Sequence, residues 1–464
     1  MRKASLKPSY DVIVIGGDLA GLVTASFLSK EGANVLVTNP EAQARSVTLG
    51  PYRFEEPFSL IANATSHGAF GHLEGKLGVK LEWLLWDQPP QHINEPRRYQ
   101  WGGFPEVIEH DLEREYPRSF SSLLEWHRNL KEVGPPLDPI FEHMLKGERP
   151  TPRWLKEQKI SPRKLRRSTM YRLKDEEAFS HITLLHGALT ALTYTLPTKT
   201  DGLTLAFWQH RLQHAVGTIV GGIDHVRTQL MENLKESKAK ISSTSVTPIR
   251  VHKEKIEGIE LTDGRITKAG VVIFNEGFHS TYRRIKLLSK KSFSSPTKNR
   301  PMAFWRHYLF SVRAEAIPDY FSHTLISLED PKQPFANYNL MALSLSHPED
   351  TTQAPKGERI LTASFLLDPA NPQIKEPNIV ERITSLLPFF KKYLSGAHTV
   401  TLPFSIPRRP LVRPAILGNP LRDWKLPLKN GFYCGPELFA EFGVEGEILC
   451  GFRLARLIQE KSHV

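Results

Sequence analysis

A chain of 464 residues is too long for one ordinary core, so two domains are expected. Hydrophobic residues make up 40% and charged residues 24%, which excludes disordered and fibrous classes. The net charge of +12 favours acidic surfaces such as phospholipid headgroups or anionic metabolites. The basic residues are scattered among prolines and aromatics in no helical nucleic-acid module, so no nucleic-acid partner is expected.

Two cysteines, Cys434 and Cys450, exclude a disulfide framework and a cysteine-rich metal site. No stretch reaches the roughly 18 uninterrupted apolar residues of a bilayer-spanning helix. The apolar run that follows the basic N-terminus, Val12 to Ile15, is too short for a signal-peptide core. The expectation is a cytoplasmic protein whose membrane contact, if any, is peripheral.

Taken in chain order, the first 40 residues read as a βαβ unit. Asp11 to Ile15 is an all-apolar run after its first residue and suits a buried parallel strand. Gly16 to Gly21 is the turn, Leu22 to Glu31 has helical apolar spacing, Gly32 ends that helix, and Asn34 to Thr38 is a second strand. Residues 73 to 216 differ in character, with six of the eight tryptophans, proline-punctuated turns and an amphipathic stretch from Phe104 to Leu130. Near Gly217 the parallel pattern is expected to resume. Gly221-Gly222 opens a helix to about Lys238, strands follow at Ser245 to His252 and Gly258 to Leu261, and Asp263-Gly264 is a hairpin signal before a buried strand at Ala269 to Asn275. Residues 291 to 424 are again rich in proline and aromatics, and Gly431 to Ile458 reads as strand, loop and closing helix. The expected division is 1–72, 217–290 and 425–464 in one domain, with 73–216 and 291–424 in the other.

Three glycine-bearing segments stand in a telling order: DVIVIGGDLAGLVTASFLSKEGANVLV at the start, VGGIDHVRTQLMENL with its following strands in the middle, and NGFYCGPELFAEFGVEGEILCGFRLARLI in the tail. Together they resemble the FAD-dependent amine oxidase and phytoene desaturase superfamily. The resemblance implies an α/β fold: an FAD/NAD(P)-binding Rossmann-like domain of GR2 type with an inserted α+β substrate domain. It implies FAD, an oxidoreductase acting on an apolar substrate of isoprenoid or lipid type, and chemistry carried by the flavin, so no catalytic side chain is assigned. The implied cofactor contacts are Gly16, Gly17, Asp18, Leu19, Ala20 and Gly21 in the first turn, then Asn39 and Arg45. Val246 follows in the middle segment, and Gly435, Glu437, Gly443 and Val444 in the tail.

Four of these positions depart from the superfamily's pattern. The middle glycine of G-x-G-x-x-G, which admits the pyrophosphate, is Asp18. The acid expected at the end of the second strand is Asn39, followed by Pro40. Glu41 to Leu49 has no glycine, and Gly435 is followed by Pro436, with Glu437 one place late. Asp18 equally suits an N-cap for a helix beginning at Leu19. A second reading therefore stands beside the enzyme: a non-catalytic relative that keeps the fold without FAD and acts as a binding or scaffolding protein. His67 and His72 fit either acid/base groups or structural hydrogen bonds. The basic cluster from Arg153 to Lys174 fits a lipid-facing or a solvated face. The tryptophans at 83, 86, 101, 154 and 208 fit a tunnel lining or a core.

Overall fold

In this computed structural model the structure describes residues 7–57, 60–62, 64, 68–94, 97–146, 148, 151–160, 176–196, 202–288, 303–368, 375–398 and 425–462. The chain begins with β1 (Ser9–Ile15), α1 (Leu19–Lys30), β2 (Val35–Thr38), and the hairpin β3 (Ser46–Leu49) and β4 (Tyr52–Glu55). It continues through β5 (Gln91–Asn94), β6 (Arg97–Gln100), α2 (Pro105–Glu115), α3 (Phe120–Val133), α4 (Glu176–Leu192), α5 (Gly202–Leu212) and α6 (Gly222–Glu236). Strands β7 (Lys240–Ser242), β8 (Val246–His252), β9 (Lys255–Leu261) and β10 (Ile266–Phe274) follow. Next come β11 (Phe304–Arg313), β12 (Thr324–Leu328), β13 (Leu340–Leu345), β14 (Glu358–Leu367), α7 (Ile379–Leu386) and β15 (Leu394–His398). The described chain closes with β16 (Gly431–Tyr433) and α8 (Gly443–Ser462).

One sheet runs β7-β2-β1-β10-β9-β8, with β16 also paired to β10. Its β7, β2, β1, β10 and β16 pairings are parallel, while β8, β9 and β10 form an antiparallel meander. β1 and β2 are buried along nearly their whole length, as strands covered on both faces must be. The second sheet runs β15-β11-β14-β13-β12-β5-β6, antiparallel except between β12 and β5. This mixed α/β arrangement is the one the resemblance implies.

α4 lies against one face of the second sheet, and Gly187 makes that approach possible: a Cβ there would come within 2.8 Å of Leu340. A continuous core links the first sheet, α4 and α5 to that face. A separate core, with Phe310, Met341, Phe365, Ile383 and Phe390, fills the opposite face beneath α7.

Strand β6 ends the second sheet, and α2 closes its open edge with side chains. Asp111 accepts the Gln100 backbone N–H at 3.0 Å, and Arg114 donates to the Arg98 carbonyl at 3.3 Å. These bonds occupy backbone groups that a sheet edge otherwise leaves open.

The structure corrects two readings and refines a third. The first helix starts at Leu19, three residues before its apolar periodicity begins, because Asp18 caps it. The amphipathic stretch from Phe104 is two helices, α2 and α3, broken at Tyr116 to Ser119. The segment at Val216–Ile219 pairs antiparallel with Ile61–Ala62 and Trp83–Trp86 in a small third sheet instead of rejoining the parallel one. No helix among the described residues is long and apolar enough to cross a membrane.

α1 packs closely against α8. At Gly451 a Cβ would come within 2.7 Å of both the Ala20 carbonyl oxygen and the Val23 side chain. Helix propensity alone favours alanine there by about 1 kcal/mol, but overpacking a close helix pair costs about 1–3 kcal/mol. Gly451→Ala is therefore expected to lower stability in urea unfolding. A variant as stable as the native chain would show that the two helices have room to spare.

Candidate functional site

The site forms where β1, α1, the β3–β4 hairpin, α6 and α8 converge. Gly16, at φ +98°, makes the turn, and a Cβ there would meet the Asn275 carbonyl oxygen at 2.4 Å. A Cβ at Gly21 would meet the Asn275 side chain at 2.2 Å, and one at Gly17 would meet Pro40 at 2.3 Å. These glycines are required by chain packing against chain. Leu19 and Ala20 are wholly buried beneath α8.

Asp18 is the N-cap of α1 and accepts the Leu19 N–H at 2.9 Å. The same oxygen accepts from Nε of Arg45 at 2.9 Å and from its Nη2. Arg45 is 1% exposed. It also pairs with Glu447 through Nη2 and lies 3.4 Å from Glu56 through Nη1. Tyr194 donates to the other Glu447 oxygen at 2.8 Å. Burial alone would lower the Arg45 pKa, but Asp18, Glu447 and Glu56 outweigh it and hold the guanidinium charged, well above its ordinary value.

A second pair seals the adjoining gap. Arg227 of α6 donates to the Gly17 carbonyl at 2.9 Å and the Pro40 carbonyl at 2.8 Å, and it pairs with Asp224. Asp224 accepts in turn from the Arg45 backbone N–H at 2.8 Å and the Ser46 hydroxyl at 2.7 Å. Asn39 sits at φ +49°, a left-handed turn that asparagine tolerates, and its N–H bonds the Ser242 carbonyl. In this structure it ties β2 to β7.

The tail residues lie in the same neighbourhood but serve packing. A Cβ at Gly435 would meet the Tyr433 hydroxyl at 2.1 Å, and that hydroxyl donates to the buried Glu437. Gly443, at φ +56°, lies against the Leu192 carbonyl, and Val444 packs at the core's edge. Val246 is buried in β8, with its carbonyl accepting from Arg284 at 2.9 Å.

The groups present do not fit a diphosphate at this turn. The helix N-terminus that would receive an anion already holds the Asp18 carboxylate. Around it, four carboxylates (Asp18, Glu56, Glu447 and Asp224) face two guanidinium groups, Arg45 and Arg227. One such carboxylate about 5 Å from a phosphate charge contributes repulsion of about 3 kcal/mol at an effective dielectric of about 20. Sequence reasoning found Asp18 and Arg45 but missed Glu56, Asp224, Arg227, Glu447 and the buried Arg211–Glu445 pair at 2.6 Å. The available signal was the pair of acids, Glu445 and Glu447, at the start of a helix whose next polar residue is Arg453.

The remaining candidates resolve into packing. His72 bonds Glu142 at 2.7 Å, and His67 lies outside the described residues. Arg153 pairs with Glu157 on the surface, and residues 161–174 of the basic cluster also lie outside the described residues. Trp101 and Trp208 are buried, the latter donating to the Glu441 carbonyl at 3.0 Å. Trp83 packs on Phe70, Trp86 on His323 and Trp154 on His143. The two thiols of Cys434 and Cys450 are buried 3.5 Å apart, and burial pushes the Cys450 thiol well above its ordinary pKa. No metal-binding cluster exists among the described residues.

A buried histidine group lies between α3, α4 and β5. His127 and His181 meet at 2.8 Å through their Nε2 atoms, so one of these nitrogens donates and the other accepts. Burial pushes His127 and His186 down to about 4 and His92 to about 3.

No protein-family model and no curated protein sequence matches this chain. The meander-crossed parallel sheet and its glycine turn nevertheless define a fold, one shared with solved structures named as oxidoreductases and amine oxidases. In particular, the chain is similar to an oxidoreductase from Methanosarcina mazei, with a TM-score of 0.61 at 15% identity over 96% of this chain and 99% of that one. Cyclohexylamine oxidase from Brevibacterium oxydans matches with a TM-score of 0.59 at 17% identity, over 98% and 100% of the two chains. A RAB GDI from Plasmodium falciparum matches with a TM-score of 0.51 at 14% identity, over 97% and 98%.

Two outcomes follow from these contacts. Arg45→Met strands buried carboxylates and should cost about 3–5 kcal/mol in denaturant unfolding; adding Glu447→Gln should restore part of that loss. If Arg45→Met unfolds like the native chain, the network does not hold the site together. The second concerns acid. Below an unfolded-state pKa of 6.5, unfolded His186 takes up a proton that the folded chain refuses until about pH 4. Stability is therefore intact above pH 6.5 and falls as the pH drops towards 4. His186→Leu should make that fall shallower when unfolding is compared at neutral and acid pH, and an unchanged slope would count against a neutral buried imidazole.

Proposed function

We propose that this chain works as a flavin-free binding protein on the scaffold of the FAD-dependent amine oxidases. The observation that carries the reading is the Asp18–Arg45–Glu447 network, which satisfies from within the protein the helix terminus and the arginine that a pyrophosphate would engage. Fold alone does not set activity, and this fold is shared by proteins named as oxidases and by one named RAB GDI. An apolar ligand of isoprenoid or lipid character suits the binding role, and the net charge of +12 suits salt-sensitive contact with an anionic membrane.

A second reading, an FAD-dependent oxidoreductase, is favoured by the names of the oxidases among the similar structures. One titration separates the two. The purified chain should be colourless and should leave the fluorescence of added FAD unquenched. Asp18→Gly combined with Glu447→Gln removes two carboxylates and turns Arg45 toward the vacated helix terminus, so it should bind FAD measurably. A native preparation that is yellow with one FAD per chain would overturn the flavin-free reading.

A further inference from the structure

A cleft of about 510 Å³ opens on the face of the second sheet remote from α4 and the glycine turn. Its volume lies within the range of small-molecule sites, roughly 300–1,000 Å³. The floor is the outward face of β5, β6 and β12, including Ile93, Arg98 and Leu325. One wall is α2, with Val107 and His110, and the other is formed by Tyr320 and Phe321 with Leu386 at the end of α7.

Two independent features mark this cleft as a binding site. The first is charge. Arg114 and Asp111 on its wall neutralise each other at 2.8 Å, while Arg98 and His110 are exposed and have no carboxylate partner among the described residues. Among the described residues the cleft lining thus carries a guanidinium with no carboxylate paired to it, and an imidazole as well. The second is apolar exposure. Tyr320 and Val107 are 62% and 38% exposed on its walls; in chain order Phe104, 76% exposed, comes immediately before α2, and Phe389, 56% exposed, shortly after α7. Exposed apolar side chains on two facing walls of one cleft mark a surface that something covers.

We propose that this cleft binds a free monocarboxylate with an aromatic or aliphatic body, its carboxylate on Arg98 and its body between Val107, Tyr320, Phe321 and Leu386. Peptide addition to the sheet edge is a poorer occupant, because Asp111 and Arg114 already hold the β6 backbone. The site is independent of the Asp18–Arg45 network and stands whether or not that turn holds a flavin.

The test is calorimetric titration of the full chain with naphthylacetate and with the isosteric neutral naphthylacetamide. The carboxylate should bind one per chain and at least tenfold more tightly than the amide. Arg98→Glu should erase that preference, Arg98→Lys should keep it, and Val107→Glu should weaken both ligands. Arg98 and Val107 are solvent-exposed, and an unchanged thermal midpoint confirms that the variants fold. Absence of saturable naphthylacetate binding to the native chain, equal affinity for the amide, or full binding by Arg98→Glu would each overturn the proposal.

Discussion

The buried guanidinium of Arg45 is the contact on which the arrangement around the glycine turn depends. Its partners come from the start of α1, the chain just after β4 and the N-terminal part of α8, so one side chain joins three separated stretches of sequence. Removing such a charge from water is costly, and attraction offsets that cost only when the geometry is good and the surrounding groups are bonded. Arginine suits the task because its planar fork presents donors in several directions at once. The surrounding hydrogen bonds from Leu19, Tyr194 and Ser46 extend the polar network through the neighbouring carboxylates.

The glycines of the three segments divide by what they touch. Gly16, Gly21, Gly443 and Gly451 lie where another stretch of protein leaves no space for a Cβ. Such positions are fixed by the fold itself and carry no information about a ligand. The position that would carry it, in the middle of the turn, holds an aspartate with protein partners. A scaffold can thus preserve its architecture while its ligand contacts turn inward.

Much of the fold was legible in the sequence, for identifiable reasons. β1, α1 and β2 were readable because an all-apolar run, a glycine turn and helical spacing are local signals. The β9–β10 hairpin was readable from Asp263-Gly264. Val216–Ile219 was not, because a short buried apolar strand has the same pattern whether its neighbours run parallel or antiparallel. Asp18 as a cap was legible, since capping is a contact with the next residues. Its bond to Arg45 and the bond from Arg45 to Glu447 were not: the latter residues are 402 positions apart, and only tertiary folding brings them together. The position of the lateral cleft was equally hidden, since α2, β12 and α7 meet there from three distant segments.

The side-chain closure of β6 has a consequence for how molecules of this protein meet. A bare strand edge is a template onto which another chain can add its own strand, and sheets left open in this way tend toward uncontrolled growth. Here one carboxylate and one guanidinium from α2 stand in for the missing neighbour. Because they are fixed to a helix, they can follow the twist of the strand but cannot be extended by another copy. The second sheet thus ends at β6 as a finite object, and encounters on that side are left to side chains rather than to backbone pairing.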